Sequence, residues 1–534
     1  MTFFRLISLA MSFLAGCLLL SARELPGDRE ATLSIYRPTD AVLDEKDNIW
    51  HGLSNPTSLD LFPEAGNGTT QLGGLWEGGD FHRAKDPEEK YALNFHSDSH
   101  RRFKALDLYG SFDFNQTWYG NRAWSDLSDP YDNNPYQAGS GIPADYSLQA
   151  VDFTVIGTSH LLFGFMRAGI GLDYSTGDYS RKADPRSRNQ LMKLSVYPGI
   201  SFGISGSHLF GLTFRYTFDK EKMLAPTCVQ TSAYDTYSYY DMKGLGEYSL
   251  ASLQRFTRRF MENVYCGSLQ YGFVSDRASL GAEISYSGRK DTVEGENRAE
   301  PGDYGQSDVE GRINLRLSSA KGFHLITVSG NISRGKANEY LQERETVHNS
   351  NGSTTTFWRT VFKSVRYRSN GDSGTLYYEY WNTSRPSRVW SLGAKGGYAG
   401  FSDRYILPES IFSASRFYSG LTFGTDTGFS ENGGLKINVT AGYAAPGKCR
   451  LETNPGLDTD GKTDIRDNVL VPDNLYYRSA FISAEIDIAY YFRPWRIKNT
   501  CFVSACAAAM FPTSVPSGVS GSRIAASIAF GLSL

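Results

Sequence analysis

The sequence predicts an all-β protein, a transmembrane antiparallel up-and-down β-barrel of about sixteen strands with long outer loops and short periplasmic turns. One observation is a period of two, clear between His208 and Asp219, where large apolar side chains alternate with small or polar ones. Successive side chains of a strand point to opposite faces, so each such strand has one apolar face. A second observation is length. These segments run for about 10 to 14 residues, and a tilted membrane-crossing strand needs about 9 to 11.

The composition agrees with this fold and excludes others. The mean hydropathy of -0.37 over 534 residues excludes a bundle of transmembrane helices, because such a bundle needs repeated apolar runs of about 20 residues. A 14% aromatic fraction and a 40% hydrophobic fraction exclude a wholly disordered chain. The net charge of -3 gives no support to a nucleic-acid partner, and we expect none. In a barrel only every second strand residue faces the lipid, and the residues between them can be polar, which explains the low mean hydropathy.

Residues 1–22 have the pattern of a secretory signal peptide. Arg5 precedes an apolar run from Leu6 to Leu20, and polar chain follows. We expect export and cleavage near Ala22, and residence in the outer membrane of a Gram-negative bacterium with lipid around the barrel. Leu14 to Cys17 has a lipobox-like pattern, which keeps lipidation of Cys17 open as an alternative.

Sixteen strands can be counted in residues 103–534. Tight turns rich in Gly, Pro, Asn and Ser join them in pairs, for example at Ser205-Gly206 and Glu431-Asn432-Gly433. Eight long polar segments alternate with these turns, and an even strand count leaves both chain ends on the periplasmic side. Residues 357–367 also have a strand pattern. Because a further barrel strand would break the parity, we assign them to a hairpin above the membrane in the fifth outer loop.

The residues that precede this barrel allow three interpretations. Residues 23–102 form a periplasmic extension, a plug in the lumen, or an additional hairpin from Gly73 to Phe81 and from Lys90 to His96. The hairpin would raise the strand count to eighteen.

Short motifs give the chain a family resemblance. Gly78-Gly79-Asp80-Phe81-His82-Arg83 and Leu108-Tyr109-Gly110-Ser111-Phe112 are followed by a Tyr- and Gly-rich remainder. With these features the chain resembles outer-membrane barrels of Bacteroidota, in particular a large uncharacterised family known only as an outer-membrane β-barrel domain of unknown function. The resemblance implies a fold and a location, and it carries no activity.

Polar side chains on the inward face of the strands predict the function. A closed barrel of about sixteen strands is wide enough for an aqueous lumen. We therefore expect a channel or a transport-related barrel for small polar solutes. The expected lumen-facing polar residues are Arg215, Glu283, Arg316, Lys436, Glu485 and Asp487.

The long outer loops favour an alternative function, a plugged structural or accessory barrel. Its loops would bind a partner protein, such as a surface lipoprotein or a TonB-dependent transporter, or a glycan. Aromatic rings beside carboxylates can stack on sugars and bind their hydroxyls, and the third outer loop offers four tyrosines for such a contact. They are Tyr234, Tyr237, Tyr239 and Tyr240.

The eight histidines are scattered along the chain and no H-E-x-x-H motif occurs, so we expect neither catalysis nor a cofactor. A barrel-embedded enzyme, with a site assembled from several strands, is the remote alternative.

Two further sites are predicted in the outer loops. Cys228 and Cys266 could form a disulfide that closes the third loop. Asp458, Asp460 and Asp464 surround a Gly turn and could supply oxygen ligands for Ca²⁺. The spacing does not match a full EF-hand loop.

Overall fold

A computed structural model describes the chain over the ranges 38–61, 68–204, 207–228, 238–251, 255–295, 299–348, 352–430, 432–494 and 499–533. The predicted signal peptide, with Cys17, lies outside these residues.

Eighteen long strands form one antiparallel sheet. The first nine are β1 (Gly68–Gly78), β2 (Glu89–Arg102), β3 (Leu106–Arg122), β5 (Ala144–Ser159), β6 (Met166–Arg181), β7 (Arg188–Ile204), β8 (His208–Ala225), β11 (Phe256–Val274) and β12 (Ala278–Glu294). The other nine are β13 (Gly302–Ser319), β14 (Gly322–His348), β15 (Thr354–Asn382), β16 (Arg388–Tyr405), β17 (Ser410–Ser430), β18 (Gly433–Glu452), β19 (Ala480–Phe492), β20 (Thr500–Ser514) and β21 (Arg523–Ser533).

The sheet closes on itself between its first and last strands. Leu72 of β1 pairs with Phe95 of β2 on one side and with Phe530 of β21 on the other. Closure leaves no sheet edge, as a β-structure in hydrocarbon requires. The predicted all-β transmembrane barrel is confirmed. Its strand number is the eighteen of the alternative count, because β1 and β2 add one hairpin to the sixteen strands predicted from residue 103 onward.

The two faces of the sheet differ as the period of two predicts. On β8, Leu212 and Phe214 are half exposed on the outer surface, whereas Thr213 between them is buried inside. The outer surface therefore carries an apolar belt suited to lipid, and polar side chains line the lumen. None of the described helices is long and apolar enough to cross a membrane.

Long and short connections lie at opposite ends of the barrel. We call the end with the long connections the outer end, by the usual layout of such barrels. Three of the long connections carry short elements of their own: β4 (Ala138–Ser140), β9 (Tyr239–Gly244), β10 (Glu247–Leu250), α2 (Gly456–Thr459), a π-helix (Arg466–Leu470) and α3 (Val471–Tyr477). β4, β9 and β10 form a small separate sheet.

The β14–β15 hairpin extends past the outer rim. β13 pairs with β14 only as far as Glu339, and β16 pairs with β15 only from Tyr367 onward. The residues between these points pair only with each other. The predicted hairpin in this loop is thus a direct continuation of two barrel strands.

Residues 38–61 lie inside the barrel near the end with the short turns. They comprise α1 (Pro38–Asp47) and a 3₁₀ helix (Pro56–Leu61), and the 3₁₀ helix packs on β3, β5, β6 and β7. We call this segment the N-terminal plug.

Candidate functional site in the barrel lumen

The N-terminal plug is attached to the lumen wall by polar contacts on many strands. Lys46 Nζ lies 2.8 Å from a carboxylate oxygen of Glu379, and Asp47 pairs with Arg316 at 2.6 Å. Three further plug residues contact the wall: Ser54 binds Glu283, Asn55 binds Gln270, and Asp60 pairs with Arg167. The plug therefore spans the lumen from β15 to β6.

Apolar side chains anchor the start of the plug. Val42 and Leu43 pack against a buried cluster on the wall, formed by Phe323, Leu325, Trp381 and Val389. Trp50, further along the plug, is 1% exposed. Full burial of an apolar side chain contributes about 1.5 to 3 kcal/mol, and the partly buried Val42 and Leu43 contribute a share of that to holding the segment.

The wall is made of glycine where the plug approaches it most closely. A Cβ added at Gly199 would lie 2.6 Å from Pro56 Cδ, and one added at Gly272 would lie 2.7 Å from Ile49 Cδ1. Five neighbouring strands contribute one such glycine each, namely Gly169, Gly199, Gly211, Gly272 and Gly281. Side chains at these five positions would clash with the plug, so the glycines allow its backbone to lie close to the wall.

The outer end of the lumen is covered by three long connections, residues 123–143, 238–251 and 453–479, which we call the outer lid. Tyr136, Leu245 and Leu470 of the lid belong to one buried cluster with wall residues that include Tyr304 and Tyr367. The Tyr136 hydroxyl also donates a hydrogen bond of 2.6 Å to a β14 backbone oxygen. Described parts of the chain therefore occupy both ends of the lumen.

A buried carboxylate organises the centre of the lid. Asp126 is 0% exposed, and it accepts hydrogen bonds from the hydroxyls of Tyr146 at 2.5 Å and Tyr239 at 3.1 Å. Arg181 lies 3.5 Å from the same carboxylate. Burial, together with the Asp126 charge, raises the pKa of Tyr239 well above its ordinary value, so this hydroxyl stays a donor.

A basic chamber lies in the outer half of the lumen, beneath residues 79–88. It is a cavity of about 490 Å³, and part of its lining is aromatic, from Phe81, Tyr119, Tyr476 and Tyr477. Its charged lining consists of six cations and two carboxylates: Arg83, Lys85, Lys90, Arg122, Arg416, Arg523, Glu77 and Asp86.

An acidic chamber lies against β7, β8, β11 and β12, on the opposite wall. It is a cavity of about 430 Å³, and Ser128 of the lid lines both chambers. Its charged lining reverses the balance, with six carboxylates and two cations: Asp129, Asp132, Asp219, Glu221, Glu262, Asp291, Lys193 and Arg289. The lid loop thus separates two lumen regions of opposite charge.

The predicted lumen-facing residues fall into two groups. Glu283 and Arg316 contact the N-terminal plug, a role that no local sequence signal revealed. Arg215 pairs with Asp173 at 3.3 Å, and its guanidinium lies 4.0 Å from the centre of the Tyr197 ring.

The other three predicted lumen residues lie on β18 and β19. Lys436 pairs in register with Asp426, and Asp487 pairs with Cys506. Glu485 is exposed. We find no plug contact for these three among the described hydrogen bonds and ion pairs.

The predicted glycan contact does not match the burial of the tyrosines that the structure describes. Tyr234 and Tyr237 lie outside the described residues. Tyr239 is 1% exposed and Tyr240 is 7% exposed, and their hydroxyls donate to Asp126 and Asp464. Their rings pack within the lid, so they present no face on which a sugar could stack.

The predicted Cys228–Cys266 disulfide is wrong, because both thiols are free. Cys228 follows Ala225, which pairs with Phe256, whereas Cys266 lies ten residues further along β11. At a rise of about 3.3 Å per residue the two positions are about 33 Å apart along the strand direction, and the three residues after Ala225 cannot span that distance.

The predicted calcium ligands are engaged elsewhere. Asp464 accepts hydrogen bonds from Tyr240 and Tyr248, and Asp458 accepts one of 2.6 Å from Arg466. Asp460 is exposed at the end of α2. The three carboxylates do not converge, since each belongs to a different set of contacts.

Another group of potential metal ligands occurs at the periplasmic end, where Asp60, Asp107 and His160 bring ligand atoms within 4.8 Å of one another. Arg102 donates to both oxygens of Asp107, and Arg167 donates to Asp60. Two guanidinium groups already balance the two carboxylates, so this cluster fits an ion-pair network that fastens the end of the plug.

Comparisons with known proteins identify a family but no activity. A family model described as a family of unknown function (DUF6850) matches residues 56–534. No curated protein sequence is significantly similar to the chain.

Several solved structures match this chain at low sequence identity and low TM-score. The FrpB iron transporter from Neisseria meningitidis has 9% identity and a TM-score of 0.37, with 90% of this chain and 83% of that chain covered. BauA, the ferric preacinetobactin receptor from Acinetobacter baumannii, has 8% identity and a TM-score of 0.40, with 88% and 80% covered. A TodX mutant, a monoaromatic hydrocarbon channel, has 11% identity and a TM-score of 0.32, with 94% and 95% covered. Similarity at this level identifies no solute.

Proposed function

Because this chain belongs to DUF6850, a family of unknown function, its activity has to be inferred from the barrel itself, and we propose that it is a gated outer-membrane transport barrel for small polar solutes. The observation that carries the proposal is the N-terminal plug. It is a separate chain segment seated in a polar lumen, and it blocks that lumen from the periplasmic end.

The contacts that hold the plug suit reversible release. A typical hydrogen bond contributes about 0.5 to 1.5 kcal/mol, and a hydrogen bond to a charged group about 1.5 to 3 kcal/mol. Ser54 donates two of the second kind to Glu283, and Lys46 and Glu379 form an ion pair whose side chains are 12% and 7% exposed. The plug is thus held by many separate polar contacts, which a binding event or a pulling force can break in turn.

The wall that the plug leaves uncovered is polar and would form the route once the plug moves. Asn94 on β2, Lys395 on β16 and Glu485 on β19 are exposed within the lumen. A cavity of about 360 Å³ lies on this side, lined in part by Gln71, His96 and Asp113. Water and small polar solutes are the natural contents of such a route.

Planar-bilayer conductance tests the proposal. We expect the purified full chain to be mostly closed and a variant lacking residues 38–61 to conduct. The control lacks residues 341–362 of the β14–β15 hairpin, which lie outside the lumen, and it should stay closed. Both deletions must show the heat-dependent gel mobility of a folded barrel. A folded barrel that stays closed without its plug would rule out transport through this lumen.

We also propose that the protein resides in the outer membrane. The closed apolar belt fits an outer membrane, and the resemblance to Bacteroidota barrels favours a Gram-negative host that exports the chain with a cleaved signal peptide. N-terminal sequencing of the membrane-bound protein tests cleavage after residue 22, and a lipidated Cys17 would show itself as a blocked, acylated terminus.

A second candidate function is that of an accessory barrel that holds a partner at the cell surface. The observation in its favour is the apolar surface of the β14–β15 hairpin beyond the rim, where Leu341 is 62% exposed and Phe362 is 60% exposed. A surface lipoprotein or a TonB-dependent transporter is the expected partner class. Co-purification from solubilised membranes should lose that partner in a Leu341→Ser, Phe362→Ser variant, and a barrel purified alone from both strains would contradict this role.

A further inference from the structure

We propose that the basic chamber is a binding site for a small solute that carries an oxyanion group, either phosphate or carboxylate. This inference deepens the proposed function, on which it rests, by naming the class of solute. The binding site itself is defined by the charges, contacts and shape of the chamber.

Three of its cations have no carboxylate partner among the described ion pairs. Lys85 Nζ donates instead to Gln137 at 2.5 Å and to the Pro130 backbone oxygen at 3.3 Å. Arg122 donates to two backbone oxygens and to the Tyr179 hydroxyl. Their neutral partners leave positive charge in the chamber that a bound anion would balance.

Arg416 supplies the third cation and an unmet donor. Its guanidinium carbon lies 5.0 Å from the ring centre of Tyr476, 5.4 Å from that of Tyr477 and 5.0 Å from that of Phe481. The rings fix the plane of the group, while Nε is buried and has no hydrogen-bond partner among the described residues. A guanidinium held in one plane is suited to the paired oxygens of a carboxylate or phosphate.

Like charges also crowd one another here. Lys85 lies near Arg122 and Arg83, and the carboxylate of Asp473 is also near it. Burial is the largest cause that lowers the pKa of Lys85 to about 8; the charge of Asp473 acts against this shift, and the two guanidinium groups add to it. An anion in the chamber would relieve this repulsion, so the site is electrostatically prepared for one.

The acidic chamber does not offer a mirror-image site for a cation. Arg289 donates there to Asp132 and Asp291 and pairs with Glu262 at 2.9 Å, so one cation already binds three carboxylates. These three carboxylates already contact an internal cation, whereas Lys85, Arg122 and Arg416 of the basic chamber have no carboxylate partner among the described ion pairs.

The wall decides where an anion would come from. β1 pairs with β21 from Thr69 to Gly78 and with β2 from Gly68 to Gly78, so no gap beside the chamber admits a lipid from the membrane. Entry is along the lumen, which favours a soluble solute over a lipid headgroup. The aromatic rings of the chamber can cover the apolar part of an organic anion, and its volume of about 490 Å³ suits a small metabolite.

Equilibrium binding to the full chain in detergent tests the site. The probes are inorganic phosphate and succinate, titrated by calorimetry at constant ionic strength in chloride. We expect saturable binding of at least one probe, weakened about tenfold or more in Arg416→Gln and in Lys85→Gln. The matched control is Lys193→Gln in the acidic chamber, which should bind like the wild type. Thermal unfolding and heat-dependent gel mobility establish that each variant is folded.

Two results would overturn the proposal. One is that neither probe binds more tightly than chloride, or that binding is unchanged in both folded variants. The other is that only phosphatidylglycerol micelles bind, and that Arg416→Gln abolishes this binding, which would assign the chamber to a lipid headgroup. Since binding requires no conduction, either result leaves the gated-transport proposal to its own bilayer test.

Discussion

Ser54 of the N-terminal plug donates two hydrogen bonds to one carboxylate oxygen of Glu283 on the lumen wall, from its backbone N–H at 2.9 Å and from its hydroxyl at 3.0 Å. Gln270 donates a third to the same oxygen at 2.9 Å. Hydrogen bonds to a charged acceptor are the stronger kind, at about 1.5 to 3 kcal/mol. Glu283 is therefore a main attachment point of the plug.

Replacing Glu283 by Ala should loosen the plug, because three donors lose a charged acceptor. We expect more frequent opening events in bilayer recordings while the barrel remains folded. Glu485→Ala, which removes a lumen carboxylate without a described plug contact, is the matched control and should stay closed. Equal opening frequencies in the two variants would show that Glu283 does not hold the plug.

Gly199→Ala should displace the plug by steric contact. The added Cβ would lie 2.6 Å from Pro56 Cδ, a distance that the segment can relieve only by moving. Gly267→Ala is the control, because a Cβ there has no neighbouring atom within 4 Å. Limited proteolysis from the periplasmic side should cleave within residues 38–61 faster in Gly199→Ala alone. Equal cleavage rates would mean that the wall tolerates the methyl group.

Anion binding in the basic chamber should depend on pH through Lys85. Its lowered pKa of about 8 means that the ammonium is lost as the pH rises through 8, so affinity should fall above that value by up to about tenfold per pH unit. The charged groups that influence Lys85 are Arg83, Arg122, Asp129 and Asp473.

Asp473 should add a second pH-dependent change in anion affinity, which we call the lower limb; the loss of affinity above pH 8 is the upper limb. Burial raises the pKa of Asp473 to about 6, so its negative charge is lost as the pH falls through 6 and anion affinity should rise again. Calorimetry between pH 5 and about 9.5 measures both limbs. Lys85→Gln should remove the upper limb and leave the lower one, and an upper limb unchanged in that variant would assign it to another group.

The fold was predictable because alternation is a local signal. The pattern from His208 to Asp219 places Thr213 inside and Leu212 outside, as the structure shows. The sequence predicts the first hairpin only as an alternative, because β1 is rich in glycine, with Gly73 and Gly74 at its centre, and so alternates weakly.

The lumen contents were not predictable, because they depend on long-range contacts and register. Ser54 and Glu283 are 229 positions apart, and the inward glycines align only once neighbouring strands are in register. Cys228 and Cys266 are close in the chain yet far apart along the strand direction, which sequence spacing does not show. A row of inward glycines on consecutive strands is a signal that could have indicated a bound segment.

A covalent link between plug and wall separates plug movement from any other route of conduction. The hydroxyls of Thr57 and Ser201 lie 2.8 Å apart, and both residues are almost fully buried. Cysteines at these two positions would place their sulfur atoms close enough to form a disulfide. In a Glu283→Ala background, the oxidised Thr57→Cys, Ser201→Cys protein should stay closed in the bilayer, and a reductant should restore the openings. Each single cysteine variant controls for reaction of the natural thiols. Openings that persist with the disulfide intact would show that solutes pass without plug displacement, and the gate would then have to be sought in the outer lid.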